Sequence, residues 1–320
     1  LPYALLYLRI YLLGVPVILL YNFEAAIFRS VGDTRVPLQT LAFSGVLNVL
    51  LNLFFVIVLH MTVNGVATAT VLSNAISSVL LFVRLRRSDK AIHLEWTALR
   101  IDRRSLQKIL QIGIPAGIQS AVFSISNIVI QSAINSLGTV VMAASSAAFN
   151  IEVVAYDVLN SFSQACTTFV GQNYGAGKLD RCRKTLVLCL VEDALASGIA
   201  ILLVLGSGHF LLSLFNRDPE VIALGYTRLM TVFTAYFFSM LYEVMSGYLR
   251  GFGISLVPAL LTMLGVCGVR ILWIATAFPR SRTFQTILLA YPLSLAATAV
   301  LILLALLIYH PSRRTKGEAV

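Results

Sequence analysis

The sequence predicts an all-α, polytopic membrane protein with nine transmembrane helices. Of its 320 residues, 58% are hydrophobic and only 12% are charged, and the mean hydropathy is +0.87. These values exclude an ordinary soluble globular domain. Nine apolar segments are each long enough to cross about 30 Å of hydrocarbon as a helix. They lie at 3–28, 37–59, 64–85, 109–137, 140–170, 183–207, 220–249, 256–278 and 284–309.

The basic residues predict how these helices are oriented. Of the 24 Lys and Arg residues, 18 fall in alternate connections, at 29–35, 84–108, 178–184, at Arg250 and in the tail at 313–316. Since Lys and Arg concentrate on the cytoplasmic side of membrane proteins, these connections are predicted to be cytoplasmic. We therefore expect a multi-pass protein of the inner (plasma) membrane whose chain start is outside and whose C-terminus is cytoplasmic.

A corner between two predicted helices occurs twice in the chain. The stretches Phe28–Pro37 and Leu249–Pro258 share an Arg, a Gly, a Val and a Pro at the same spacing. Each has Arg at the end of one helix, Gly for a tight turn and Pro in the first turn of the next helix. The repeat predicts two related helical bundles in one polypeptide. The alternative is a chance resemblance between two corners of a Gly-rich, apolar chain.

One long polar segment divides the nine predicted helices into three and six. The doubled corner pairs the first helix of the chain with the fourth helix after this segment. The first bundle is therefore expected to lack three helices, with the chain truncated at its start. The predicted domains are the last three helices of an N-terminal lobe (1–86), a cytoplasmic linker (87–104), a six-helix C-terminal lobe (105–311) and a cytoplasmic tail (312–320).

The composition argues against several other classes of function. The net charge of +10 does not indicate nucleic-acid binding, because the basic residues follow the membrane pattern described above. The four Cys residues form no CxxC pair, and the four His residues lie near predicted helix ends, so no metal site, catalytic centre or cofactor is predicted. A Gly-rich run before Lys178 is not a phosphate loop, because Gln172 and Leu179 replace its first Gly and its Ser or Thr.

Polar side chains follow two adjacent predicted helices along most of their length. In the helices at 109–137 and 140–170 they recur every three or four residues, which places them on one face of each helix. Such long stripes indicate a shared water-filled cleft, although Ser, Thr and Asn also join membrane helices by hydrogen bonds. The stripes consist of Ser120, Ser124, Asn127, Gln131 and Asn135, and of Ser146, Asn150, Asp157, Ser161, Gln164 and Thr168.

Acidic residues at bilayer depth are candidate ion-coupling groups, because each costs about 2.5–3.5 kcal/mol on insertion scales. A buried carboxylate can bind H⁺, or Na⁺ together with neutral oxygens, and release it on the other side. Glu24 is discounted because it is expected to reach the cytoplasmic boundary. Since Glu192 and Asp193 are adjacent on one helix, at most one of them is expected to line a path. The coupling candidates are Asp157, Glu152, Glu243 and Glu192.

One arginine and several neutral residues complete the candidate site. Arg270 lies well inside a predicted helix, where a lone guanidinium would be costly, so it is expected to form an intramembrane ion pair with a carboxylate or to bind backbone carbonyls. If every acid is merely paired in this way, the carboxylates are structural, and the sequence does not separate these alternatives. The candidates for the substrate cleft are Asn127, Gln131, Asn150, Gln164, Ser239 and Tyr242.

Three motifs in combination resemble the multidrug and toxic compound extrusion (MATE) family of transporters, particularly its bacterial members. They are the run Gly171–Gly177 followed by Arg181, the doubled corner, and the segment Val266–Trp273. The resemblance covers almost the whole chain. It implies a twelve-helix protein of two six-helix, pseudo-symmetric lobes, a cleft between them, and drug export in exchange for H⁺ or Na⁺. This chain is similar to helices four to twelve of that plan.

The sequence departs from the family pattern at the acidic residues. Some members have a coupling Asp on their first helix, a segment that is absent here. Sodium-coupled relatives have acids on the first and fourth helices of the second lobe. Here the helix at 109–137 has no acid, and Ser239 occupies the family position on the fourth helix. Glu243 lies one turn nearer the corner, while Glu152 and Asp157 are candidates on the argument from the residues alone.

The sequence thus predicts a secondary active transporter that exports amphipathic or cationic organic compounds in exchange for H⁺ or Na⁺. Its expected partners are the lipid bilayer and small organic cations or drugs, and we expect a monomer that binds no nucleic acid. The alternative is a lipid-linked glycan flippase of similar architecture, whose cleft should be more cationic because its cargo carries phosphate. An intramembrane enzyme is disfavoured, because it needs a His, Asp or Ser-His centre at membrane depth.

Overall fold

The computed structural model describes residues 2–88, 92–95, 97, 99–309 and 311, and the regular structure of these residues is helical. Nine helical spans in this part of the chain are long and apolar enough to cross a membrane, which confirms the all-α, polytopic fold. A π-helical segment, Met263–Gly268, joins the helices Leu256–Thr262 and Val269–Thr276 into one span. The helices are α1 (Pro2–Ser30), α2 (Arg35–Leu53, continued by a π-helical turn at Phe54–Val58), α3 (Val63–Arg86), α4 (Arg103–Asn135), α5 (Thr139–Gly175), α6 (Leu179–Ser213), α7 (Pro219–Gly251), α8 (Leu256–Thr262), α9 (Val269–Thr276) and α10 (Phe284–Tyr309).

The largest differences from the predicted segments, six residues each, are at the start of α4 and the end of α6. Helix α4 begins at Arg103 rather than at 109, because the Asp102 side chain caps it by accepting a hydrogen bond from the backbone N–H of Ser105 at 2.8 Å. The stretch 208–219 is too short to span a membrane and is predicted from the sequence to be an interfacial turn. Its first six residues, 208–213, are instead the last turns of α6. That helix continues because apolar residues resume at Phe210, Leu211 and Leu212, and Leu212 is buried. The predicted tail at 312–320 lies outside the described residues.

Contacts divide the chain into two compact units, Leu1–Ile101 and Asp102–Val320. The division falls inside the segment 87–104 that the sequence predicts as a linker. In the first unit, α1 packs mainly on α3. In the second unit, α7 is central, because it packs against α5, α6 and α10, and every residue from Tyr242 to Leu249 is buried.

The repeated corner has the same backbone structure in both copies. Gly32 and Gly253 have positive φ angles of 80° and 82°, which glycine adopts without a steric penalty. In each copy the Gly N–H donates to the carbonyl of the corner Arg at 2.9 Å, and the next N–H donates to the residue before that Arg, at 3.0 and 3.1 Å. This is a helix end of the Schellman type, and it is the tight turn that the sequence predicts.

Helices α5 and α7 approach closely through small residues. A Cβ atom added at Gly247 would overlap the backbone oxygen of Ser163, and one added at Gly251 would lie 2.6 Å from Cβ of Val170. The hydroxyl of Thr167 donates to the carbonyl of Gly247 at 3.0 Å. Small residues spaced four apart allow membrane helices to pack backbone against backbone. This contact sets which side of α5 faces the interior of the second unit.

Candidate functional site

The polar stripe of α5 lies on an exposed face. Ser146, Asn150, Asp157, Ser161 and Gln164 are all exposed along a helix of 37 residues that is apolar enough to span a membrane. We call these five residues the polar face of α5. Within the described part of the chain, no hydrogen bond or ion pair involves the carboxylate of Asp157. An ionised side chain in this position needs water around it.

The stripe of α4 is exposed in the same way. Asn127, Gln131 and Asn135 are exposed, and the amide of Gln131 donates to the side-chain oxygen of Asn135 at 2.8 Å. These bonds run along the helix rather than between helices. The alternative explanation for the stripes was hydrogen bonding between helices. Within the described residues of the second unit, these α4 side chains do not form such bonds.

Glu152 lies on the opposite, buried side of α5 and is fully paired. Its two carboxylate oxygens accept hydrogen bonds from Nε and Nη2 of Arg228 on α7, at 2.7 and 2.8 Å. The side chains of Glu152 and Arg228 are 6% and 3% exposed. Ser145 and Tyr291 bind the same guanidinium, with oxygens 2.6 and 3.3 Å from its nitrogens. This forked, charge-assisted pair fixes α7 against α5, so Glu152 is held as a structural group.

The intramembrane ion pair forms at Arg228 and not at Arg270, where it was expected. Arg270 donates from Nε to the hydroxyl of Ser294 at 3.0 Å, and its guanidinium carbon lies 4.5 Å from the centre of the Tyr291 ring. It is buried on α9 facing α10, whereas Glu152 faces α7. The sequence placed Arg228 within a helix but assigned it no partner. The only signal for the pair was a second guanidinium at membrane depth.

Glu243 is the centre of a second buried cluster, near the Gly253 corner that follows α7. Its carboxylate accepts a hydrogen bond from the Tyr156 hydroxyl at 2.9 Å, and its other oxygen lies 3.8 Å from Nη2 of Arg250. Arg250 donates instead to Ser163 at 2.9 Å. The contact of Glu243 with a cation is thus long and incomplete, in contrast with that of Glu152.

Two of the predicted cleft residues lie inside the packed helices. Ser239 and Tyr242 are 2% and 3% exposed, because the α7 segment that carries them packs between α5 and α10. They do not line an exposed surface in this structure, and this part of the prediction is wrong for this conformation. Asn127, Gln131, Asn150 and Gln164 remain as exposed candidates.

Two buried acids were not among the predicted coupling residues. Asp193 on α6 is fully buried and accepts a hydrogen bond from Ser197 at 2.6 Å, whereas its neighbour Glu192, which was a candidate, is exposed. Glu24 on α1 is 3% exposed and accepts from Ser78 on α3 at 2.8 Å. Glu24 is therefore packed between α1 and α3, and its expected position at the cytoplasmic boundary stays a prediction. One oxygen of each acid has no hydrogen-bond partner in the described residues.

Metal-ligating residues do not cluster in the part of the chain that the structure describes. No group of three or more His, Cys, Asp and Glu side chains there could hold a metal ion. The four cysteines are buried and free. The polar groups of the described site are carboxylates, phenols and guanidinium groups.

Comparisons with known proteins agree with this architecture. The MatE family model matches residues 115–275, about half of the chain, and the model of the lipid II flippase MurJ matches residues 3–137. The chain is 27% identical to the probable multidrug resistance protein YoeA of Bacillus subtilis, over 83% of this chain and 59% of that protein. It is 22% identical to the multidrug export protein MepA of Staphylococcus haemolyticus, over 77% of this chain and 54% of that protein.

The chain thus spans less than two thirds of the length of these curated relatives. Among solved structures, a MATE protein in complex with MaL6 superposes with a TM-score of 0.89 at 18% identity, covering 98% of this chain and 71% of that one. At this identity the likeness shows the fold. The relatives are transport and resistance proteins rather than enzymes, as the sequence predicts. The family model and the shared fold together show that this chain belongs to the MatE family of membrane transporters.

Proposed function

We propose that this chain is part of an exporter of amphipathic or cationic organic compounds that works in exchange for H⁺ or Na⁺. The observation that carries the proposal is the polar face of α5, with Asp157 at its centre. Five exposed polar residues on one side of a membrane-spanning helix are unfavourable against lipid. They are suited to a water-filled path, where a carboxylate attracts organic cations. Multidrug resistance and export proteins among the relatives support the same substrate class.

In this proposal two carboxylates exchange the coupling ion and one does not. Asp157 is exposed on the path, and Glu243 is 8% exposed with one long contact to Arg250, so both can gain and lose a cation. Glu152 is bound at both oxygens by Arg228. Because releasing it would leave a buried guanidinium unpaired, Glu152 does not exchange.

The test is dye efflux from proteoliposomes that contain the protein, driven by an imposed H⁺ or Na⁺ gradient. Asp157→Asn and Glu243→Gln should each abolish ion-driven efflux while leaving the amount of folded protein unchanged. Asp180→Asn is the matched control, because Asp180 is also exposed but lies at the start of α6, away from the polar face. Undiminished efflux in both variants would refute the assignment of the coupling carboxylates.

The same vesicles test the coupling ion, and a reporter fusion tests the orientation of the chain. Efflux that follows a pH gradient in the absence of Na⁺ identifies H⁺, whereas efflux that requires Na⁺ at constant pH identifies Na⁺. We also propose that the chain start is outside and the C-terminus cytoplasmic, on the basis of the basic connections. A reporter that is active only in the cytoplasm should therefore be active in cells when it is fused to the C-terminus.

A lipid-linked glycan flippase is the second candidate, and the MurJ match at residues 3–137 favours it. The cargo of such a flippase carries phosphate and needs a cationic path. The polar face of α5 has one carboxylate and no basic residue, which favours the exporter instead. Translocation of a fluorescent lipid diphosphate, without dye efflux, would favour the flippase. The reverse result supports the exporter.

A further inference from the structure

Two buried arginines in the second unit lie beside one carboxylate, and only one of them binds it. The guanidinium carbons of Arg228 and Arg270 lie 5.3 and 4.5 Å from the centre of the Tyr291 ring, so they are less than 10 Å apart. Glu152 offers both of its oxygens to Arg228. In the described residues, the salt bridges do not include Arg270. This cluster therefore carries one positive charge more than it balances.

Arg270 is held in place by only part of its guanidinium. Its Nε donates to Ser294, which in turn donates to the carbonyl of Tyr291 at 2.9 Å. The residue is 7% exposed, and its two terminal nitrogens find no acceptor within the described part of the chain. These two nitrogens are not fully enclosed, so a ligand can reach them, and an unpaired charge in a membrane protein is costly without water or a counterion. Stacking on the Tyr291 ring offsets part of that cost.

We propose that the terminal nitrogens of Arg270 bind an oxyanion, a carboxylate or phosphate group. The two nitrogens form a planar fork that matches the two oxygens of such a group. Ser294 and Tyr291 hold the fork in one orientation, so a ligand does not have to order the side chain. The anion balances the extra charge of the cluster. The source is either a free anion or the phosphate of an anionic lipid, and the site does not depend on which compound the protein exports.

The test is the thermal unfolding midpoint of the delipidated protein in a neutral detergent. Sodium phosphate and sodium acetate are titrated against sodium chloride at constant ionic strength. A bound anion at tenfold excess over its dissociation constant should raise the midpoint by roughly 3–6 °C. Arg270→Gln should lose this rise. Arg280→Gln is the matched control and should keep it, because Arg280 is exposed in the turn after α9.

Two further arms identify the source and guard against misfolding. Arg270→Lys keeps the charge but not the fork, so it should reduce the rise. This variant replaces Arg270→Gln in the test if Arg270→Gln does not fold. Nanodiscs with phosphatidylglycerol should abolish the response to free phosphate if the lipid supplies the anion, whereas nanodiscs of phosphatidylcholine should not. An equal rise in wild type and in both Arg270 variants overturns the proposal. So does the absence of any response to phosphate, acetate or phosphatidylglycerol.

Discussion

The two sides of α5 show how one helix can hold acids for opposite purposes. Glu152, on the buried side, is bound at both oxygens by Arg228, whereas Asp157, little more than one turn later, is exposed with no partner in the described residues. Their chemical type is nearly the same, and their depth along the helix is similar. What differs is the face on which each lies. The rotation of α5, set by its contact with α7, therefore decides which acid is paired with Arg228 and which is exposed.

The largest expected effect comes from breaking the buried pair. Glu152→Ala should lower the free energy of unfolding by about 3–5 kcal/mol, because it leaves the guanidinium of Arg228 buried without its partner. Denaturant unfolding in detergent micelles measures this loss. Asp157→Ala is the matched control on the exposed side and should change stability little. Similar losses in both variants would remove the distinction between the two faces.

The contact between α5 and α7, which sets the rotation of α5, can be tested at Gly247. Gly247→Ala should cost about 1–3 kcal/mol, because the added Cβ overlaps the backbone of α5 and the helices must separate. Gly198→Ala on α6 is the control, since a Cβ there meets nothing within 4 Å. The control should be neutral or slightly stabilising, as alanine favours helix more than glycine does. Thermal unfolding of the two variants side by side measures the difference.

Adjacent acids on α6 extend the comparison to a second helix. Asp193→Ala should cost about 1–3 kcal/mol, because the buried hydroxyl of Ser197 loses its acceptor and a cavity forms. Glu192→Ala should leave the unfolding midpoint unchanged, since that side chain is exposed. If the two variants are equally stable, the buried contact between Asp193 and Ser197 does not contribute to the free energy of unfolding as expected.

The smallest effects should occur on the polar face itself. Asn150→Ala and Gln164→Ala should each change the free energy of unfolding by less than about 0.5 kcal/mol, as is usual for exposed positions. The same variants should alter the concentration dependence of dye efflux if these side chains touch the exported compound. A large loss of stability in either would show that the face is packed rather than wet.

The sequence predicted the spans and the stripes but not the pairing of the buried charges. Long apolar runs, glycine corners and polar periodicity are local signals, and the apolar runs correctly predicted nine helical spans in the described residues. Asn127 and Gln164 are exposed, while their place in a cleft stays a prediction. The bond between Glu152 and Arg228 depends instead on how α7 is rotated against α5. The sequence of one helix alone does not reveal how that helix is rotated against its neighbour. For the same reason Tyr242 was predicted on a cleft but is buried.

The burial of Glu24 depends on a neighbouring helix in the same way. Counting residues from Arg29 placed this acid near the membrane boundary. Its burial comes from α3, which packs on α1 and supplies the Ser78 hydroxyl. Distance along one helix gives depth, whereas burial is a property of at least two helices. This is why the buried acids Glu24 and Asp193 were not selected from the sequence.

The glycines at the two corners allow the same substitution to be tested at two equivalent turns of one protein. The turns at Gly32 and Gly253 have matching φ angles and the same bonding pattern, yet they join different helices in different units. An alanine introduced at either position meets the same intrinsic backbone penalty. Any difference between the two outcomes therefore reports only on the surroundings of each turn. Two halves of one polypeptide can in this way be compared without reference to any other protein.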